Sequence, residues 1–199
     1  MPSTHPFHQF QIGASSYLAR SVENLERFEN EGMVTHFFYA ALDLRFGIEA
    51  RLNEYLRPAL KSIGKDRGDI TEYVATKLLK RLTQIDPEAS RASTLRITSE
   101  QSGRSTVHQF TPVSQRLASI HGQLGEILHY QFFNMNEHWY LRKPLGGNPH
   151  RSIADFVGLV KEGITELQAA TAGTLLSNPS FTALVEGVAS EASETRDEA

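Results

Sequence analysis

No cysteine occurs among the 199 residues. Disulfides, thiolate nucleophiles and cysteine-held zinc or iron–sulfur sites are therefore excluded. No apolar run approaches the roughly 18 residues that a membrane-spanning helix needs, so no membrane partner is expected. Residues Met1 to Phe10 lack the basic-then-apolar order of a secretory signal, and the expected compartment is the cytoplasm. The Gly-x-Ser-x-Gly elbow, the dinucleotide fingerprint and the Gly-Lys-Ser/Thr phosphate loop are all missing. Neither their chemistry nor a cofactor is expected, and no repeat of solenoid length is present. What remains is 40% hydrophobic and 22% charged residues, the balance of an ordinary globular domain.

The formal net charge of −3 conceals a gradient. Residues 1–50 hold three Lys/Arg against six Asp/Glu, residues 51–161 hold sixteen against ten, and residues 162–199 hold one against seven. A basic middle with an acidic tail suits a body that binds polyanions. Solvated helix faces followed by a solubilising tail account for the same split without any partner.

Residues 1–13, with Pro2 and Pro6 and no period, read as a flexible arm. Ser15 or Ser16 can cap a helix through Leu18, Val22, Leu25 and Phe28, which Gly32 ends. A second helix is expected from about Thr35 to Leu56, with Pro58 opposing its continuation. Its apolar stripe comprises Phe37, Phe38, Ala41, Leu44, Ile48, Leu52, Tyr55 and Leu56, and Arg45 and Glu49 read as lying near the middle of it. After a linker at 61–68, Asp69 can cap a third helix, whose Lys77, Lys80 and Arg81 fall toward the C-terminal end that favours cations. Alternation at Thr94 to Thr98 and at Thr106 to Phe110 marks a hairpin near 93–111. Pro112 opens the next helix, with Leu117, Ile120, Leu124 and Leu128 on its core face and a possible extension to Trp139. Ser152 caps a last long helix through Leu167, and Leu184, Val185 and Val188 can form a short one. Residues 176–199 read as an acidic, partly disordered tail. The expected fold is mainly α: an antiparallel bundle of four to five helices over 14–175, with a small inserted β-hairpin.

Five groups of residues stand out as candidates for chemistry or contact. Arg45 and Glu49, one helical turn apart, can form an ion pair that fixes helix register, since charge on an apolar face is costly without a partner. Glu126 and His129 have the Glu-x-x-His spacing of half a di-iron site, but no second copy exists to complete it, so no metal is expected. Arg142, Lys143, His150 and Arg151 surround Gly146 and Gly147 just before a helix start, an arrangement suited to a phosphate or other anion. Phe132, Phe133 and Trp139 belong to an aromatic cluster that points around several faces. That distribution favours an oligomer interface over an exposed stacking platform.

The fifth group is Arg116 and His121, an Arg-x4-His motif near the start of a helix. With the long second helix and its embedded Arg45 and Glu49, this motif resembles the HEPN family of helical domains, over about Ser15 to Leu167. The resemblance implies a homodimer that cleaves RNA without metal, in the role of a toxin or antiviral defence component. His121 would then be the general acid or base and Arg116 the phosphate holder. The chain departs from the family pattern at Leu117, where many members carry a polar residue. Residues five apart on one helix diverge by about 140°, so such a site needs a second copy of the helix. The other reading is a non-catalytic helical dimerisation module that binds a protein or anionic partner through the basic middle.

Overall fold

The computed structural model describes residues 13–65, 74–99, 102–128 and 153–174, apart from the side chains of Glu126, Ile127 and Ile153. Among them the chain forms helix α1 (Ala14–Glu31), helix α2 (Val34–Ser62), helix α3 (Ala75–Ile85) and a 3-10 turn (Pro87–Ser90). Strands β1 (Ser93–Thr98) and β2 (Ser105–Phe110) follow, then helices α4 (Gln115–Leu128) and α5 (Ile153–Thr171). The mainly helical bundle with an inserted hairpin is therefore what the chain adopts. No described helix is long and apolar enough to cross a membrane.

Helix α2 is the axis. Phe37, Ala41, Leu44, Ile48, Leu52 and Leu56 are buried at 1% exposure or less, and α1, α3, α4 and α5 all pack against it. At about 1.5–3 kcal/mol per buried large apolar side chain, this stripe is the main driving force for assembly. Helix α1 runs antiparallel to α2: the backbone amide of Ala14 donates to Glu54 Oε1 at 2.9 Å, Ser21 Oγ donates to the Ala40 carbonyl at 2.8 Å, and the Phe28 and Phe37 rings meet at 5.3 Å. Asp43 is buried at the same contact and accepts from Arg20 and Asn24. Helix α5 runs parallel to α2. A Cβ at Gly163 would lie 2.7 Å from Leu44 Cδ2 and 3.0 Å from Ile120 Cγ2, so glycine there permits close approach of α2, α4 and α5.

Several element boundaries differ from the sequence reading. Helix α1 starts at Ala14 with Gly13 as its N-cap, ahead of the serines, because Glu54 of α2 satisfies its first amide. Gly32 does end it, with φ 69° and its amide bonded to the Phe28 carbonyl. Helix α2 passes through Pro58 to Ser62. An internal proline costs about 3 kcal/mol, but Ala59 and Leu60 beyond it are buried at 0% and 1%, and their burial offsets that cost. Helix α3 starts at Ala75, capped by Val74. Lys77 therefore falls in its first turn rather than toward its end. Helix α4 starts at Gln115, three residues after Pro112, because Ser114 Oγ accepts from the Leu117 amide at 2.9 Å and serves as the cap.

The hairpin pairs Ser93 with Phe110 through Thr98 with Ser105 in antiparallel register. It is anchored at its base, where Phe110 is 1% exposed and its ring lies 5.2 Å from that of Tyr55.

Candidate functional site: a histidine–carboxylate pair between two helices

Helix α4 lies antiparallel to α2, which sets His121 opposite Glu49 and Gly125 opposite Arg45. The His121 side chain is 2% exposed, and its Nε2 lies 2.6 Å from Glu49 Oε1. Arg45 Nε approaches the same carboxylate oxygen at 3.4 Å. The absence of a side chain at Gly125 leaves room for the Arg45 guanidinium, since a Cβ there would lie 2.8 Å from Nη1. One carboxylate oxygen thus stands between an imidazole and a guanidinium.

The chemistry follows from proton inventory. An ionised carboxylate only accepts, so His121 donates from Nε2 and Nδ1 is left as the basic nitrogen. Glu49 orients the ring and stabilises the imidazolium formed when Nδ1 takes a proton, which is the support a general base needs. The Arg45–Glu49 pair anticipated from spacing is present, but it sits at the margin of the apolar stripe. Each of the two side chains keeps 22% exposure.

Arg116 and His121 face different neighbours. Arg116 Nε and Nη2 donate to Glu162 Oε1 and Oε2 of α5 at 2.6 Å each, a bidentate pair on the surface. The hydrogen bond from Arg116 holds the Glu162 carboxyl below the usual carboxylate range, and in return the guanidinium is raised above its ordinary value. Ser114 reinforces this contact by donating to Glu166 Oε2 at 2.5 Å. Within one chain the motif is therefore split, with Arg116 of α4 turned to α5 and His121 of α4 turned to α2.

A second polar network lies further along α2, and spacing gave no warning of it. Arg51 Nε donates to the Ala170 carbonyl at 2.9 Å, and its Nη1 donates to Glu54 Oε2 at 2.9 Å. The guanidinium sits 4.3 Å from the centre of the Tyr55 ring. The Tyr55 hydroxyl reaches the Thr111 carbonyl and, at 3.1 Å, that of Ala170. Thr111 Oγ1 also donates to Ala170, at 2.9 Å. Three side chains thus converge on one carbonyl at the end of α5. Burial raises the Tyr55 hydroxyl above its ordinary value of 10.0, against the opposing pull of Arg51. The signal available in the sequence is angular: at about 100° per residue, Arg51 falls within about 20° of Leu44, which is fully buried.

The remaining expected site residues, Phe132, Phe133, Trp139, Arg142, Lys143, His150 and Arg151, lie outside the described residues, as do His129, the arm, the acidic tail and the Glu126 side chain. Among the described residues no group of three or more potential metal ligands comes together. The chain matches no family model, no curated protein and no solved structure.

Proposed function

We propose that this chain is a HEPN-like RNA-acting domain that works as a dimer and cleaves RNA without metal. His121 is its general base and Arg116 holds the phosphate. The observation that carries this reading is the 2.6 Å contact between His121 Nε2 and Glu49 Oε1 at the α2–α4 contact. A fold gains little from burying an imidazole beside a carboxylate on otherwise apolar faces, whereas a proton-transfer site needs that arrangement. Arg116 lies on the same helix but across it, so the two groups meet only if a second copy of α4 supplies one of them.

The test is digestion of labelled RNA in EDTA by wild type, His121→Ala, Glu49→Gln and Arg116→Ala. Wild type cleaves, and His121→Ala loses at least about 100-fold, the usual worth of a general base. Undiminished cleavage by both His121→Ala and Arg116→Ala overturns the reading.

A second reading, a non-catalytic helical module that binds a protein or anionic partner, is favoured by a different observation. Arg116 is engaged by both oxygens of Glu162 and His121 is 2% exposed, so neither is open to a phosphate in a single chain. On that reading His121→Ala leaves cellular function intact, whereas Trp139→Ala or Phe133→Ala breaks assembly in light scattering.

A further inference from the structure

The charges of this bundle are sorted by side. Helices α1 and α5 pack against each other and carry seven carboxylates against three cations. All three cations are paired: Arg27 with Glu23 at 2.5 Å, Lys161 with Glu29 at 2.5 Å, and Arg20 with Asp43. Helix α3 packs against α2 and α4 instead, and carries Lys77, Lys80 and Arg81 with no carboxylate in its length. Its inner face is Ala75, Leu78, Leu79 and Leu82, all buried. Thr76, Lys77, Lys80 and Gln84 are exposed on the outer face.

The fold gains nothing from these lysines. Lys77 stands in the first turn, where the positive end of the helix dipole repels a cation. Lys77 and Lys80 are like charges three residues apart, a spacing that weakens a helix. No carboxylate among the described residues pairs with either of them. The same chain places compensating partners at equivalent spacing on α1, so the omission on α3 is local. An electrostatic cost kept on one exposed face is accounted for when an external anion offsets it.

We propose that the outer face of α3 is a docking face for the phosphate backbone of single-stranded RNA. The identity of the polyanion rests on the ribonuclease reading above; the cationic face itself does not. Lysine ammonium groups, a threonine hydroxyl and a glutamine amide are donors suited to phosphate oxygens. With no aromatic residue in α3, the face has nothing on which to stack a base, so it holds the strand without reading sequence. Helix α3 itself packs on the helix pair α2–α4 that holds His121.

The probe is fluorescein-labelled single-stranded 2′-O-methyl RNA, which keeps its phosphates but lacks the hydroxyl needed for self-cleavage. Anisotropy titrations of the full chain compare wild type with Lys77→Glu/Lys80→Glu. The control, Arg27→Glu/Lys161→Glu, makes the same change in net charge on the acidic side, and melting curves show that both variants are folded. The α3 variant binds at least about tenfold more weakly, and its salt dependence is shallower by roughly 1.4 in log–log slope, the value for two lost contacts to a single strand. The control stays within about twofold of wild type. Equal weakening in both variants, no weakening in either, or no binding by wild type at low salt overturns the proposal. Displacement of the probe by polyglutamate as readily as by unlabelled RNA also overturns it, in favour of an acidic protein partner. The two readings fail separately. RNA held by α3 but never cut removes the ribonuclease and keeps the face; RNA cut with unchanged affinity by the α3 variant does the reverse.

Discussion

Two of the three arginines of helix α2, Arg45 and Arg51, meet opposite fates. Arg51 keeps 5% of its side-chain exposure, and its neighbours are a main-chain carbonyl of α5, Glu54 and the face of Tyr55. Arg45 keeps 22% and shares its carboxylate with a histidine of α4. The first environment ties three elements together through one carbonyl. The second holds an imidazole against a partly exposed carboxylate. Burial with main-chain acceptors makes a lock, whereas placement at the margin beside an imidazole makes the arrangement on which the proposed chemistry rests. Both arise from the same violation of an apolar stripe, so the violation alone does not distinguish structure from function. The partner does.

The largest effect that tests this contrast is on stability. Removing one partner from a buried charge network costs about 3–5 kcal/mol, and urea denaturation of Arg51→Ala should show a loss of that size. Arg45→Ala, at a pair that keeps contact with solvent, should lose no more than about 1 kcal/mol. Equal losses would erase the distinction between the two sites.

Tyr55→Phe comes next. It removes a hydroxyl shared between the Thr111 and Ala170 carbonyls, with an expected loss of about 1–1.5 kcal/mol. It also has a pH signature. The folded Tyr55 binds its proton more tightly than the unfolded chain, whose ordinary value is 10.0. The stabilisation is therefore fully present below pH 10 and is lost as pH rises through the higher folded value. Wild type should lose stability more steeply than Tyr55→Phe on the alkaline side, and parallel pH curves would detach Tyr55 from the lock.

What the sequence makes legible is the burial of faces. Phe37, Leu44, Ile48 and Leu52 recur at helical spacing and are all buried; alternation marks the hairpin, and Gly32 marks a stop. Contacts made at long range are not legible. Pro58 argued for an end to α2 because its local cost is visible, whereas the burial of Ala59 and Leu60 that offsets it depends on the whole bundle. Arg51 was overlooked because its acceptor is a carbonyl 119 residues away. For the candidate site, in-line spacing pairs Arg45 with Glu49, and His121 stands out as a residue. That Glu49 belongs to His121 follows only from the antiparallel seating of α4 on α2.

The smallest expected stability change is at Gly125, and it isolates Arg45 without removing its charge. A Cβ at this position would lie 2.8 Å from Arg45 Nη1, the far end of a flexible side chain, with the next contact at 3.8 Å on the same guanidinium. Gly125→Ala therefore displaces Arg45 from the carboxylate. Alanine in place of glycine favours the helix by about 1 kcal/mol, which offsets the loss of a partly exposed ion pair worth no more than about that much. The urea midpoint should stay level or rise slightly, while the Arg45 Nε–H resonance moves as its contact with Glu49 opens. If Arg45 supports the proposed chemistry, RNA cleavage falls together in Gly125→Ala and Arg45→Ala despite their intact folds. If both variants cleave normally, the working site contracts to Glu49 and His121, and Arg45 joins Arg51 as a structural residue.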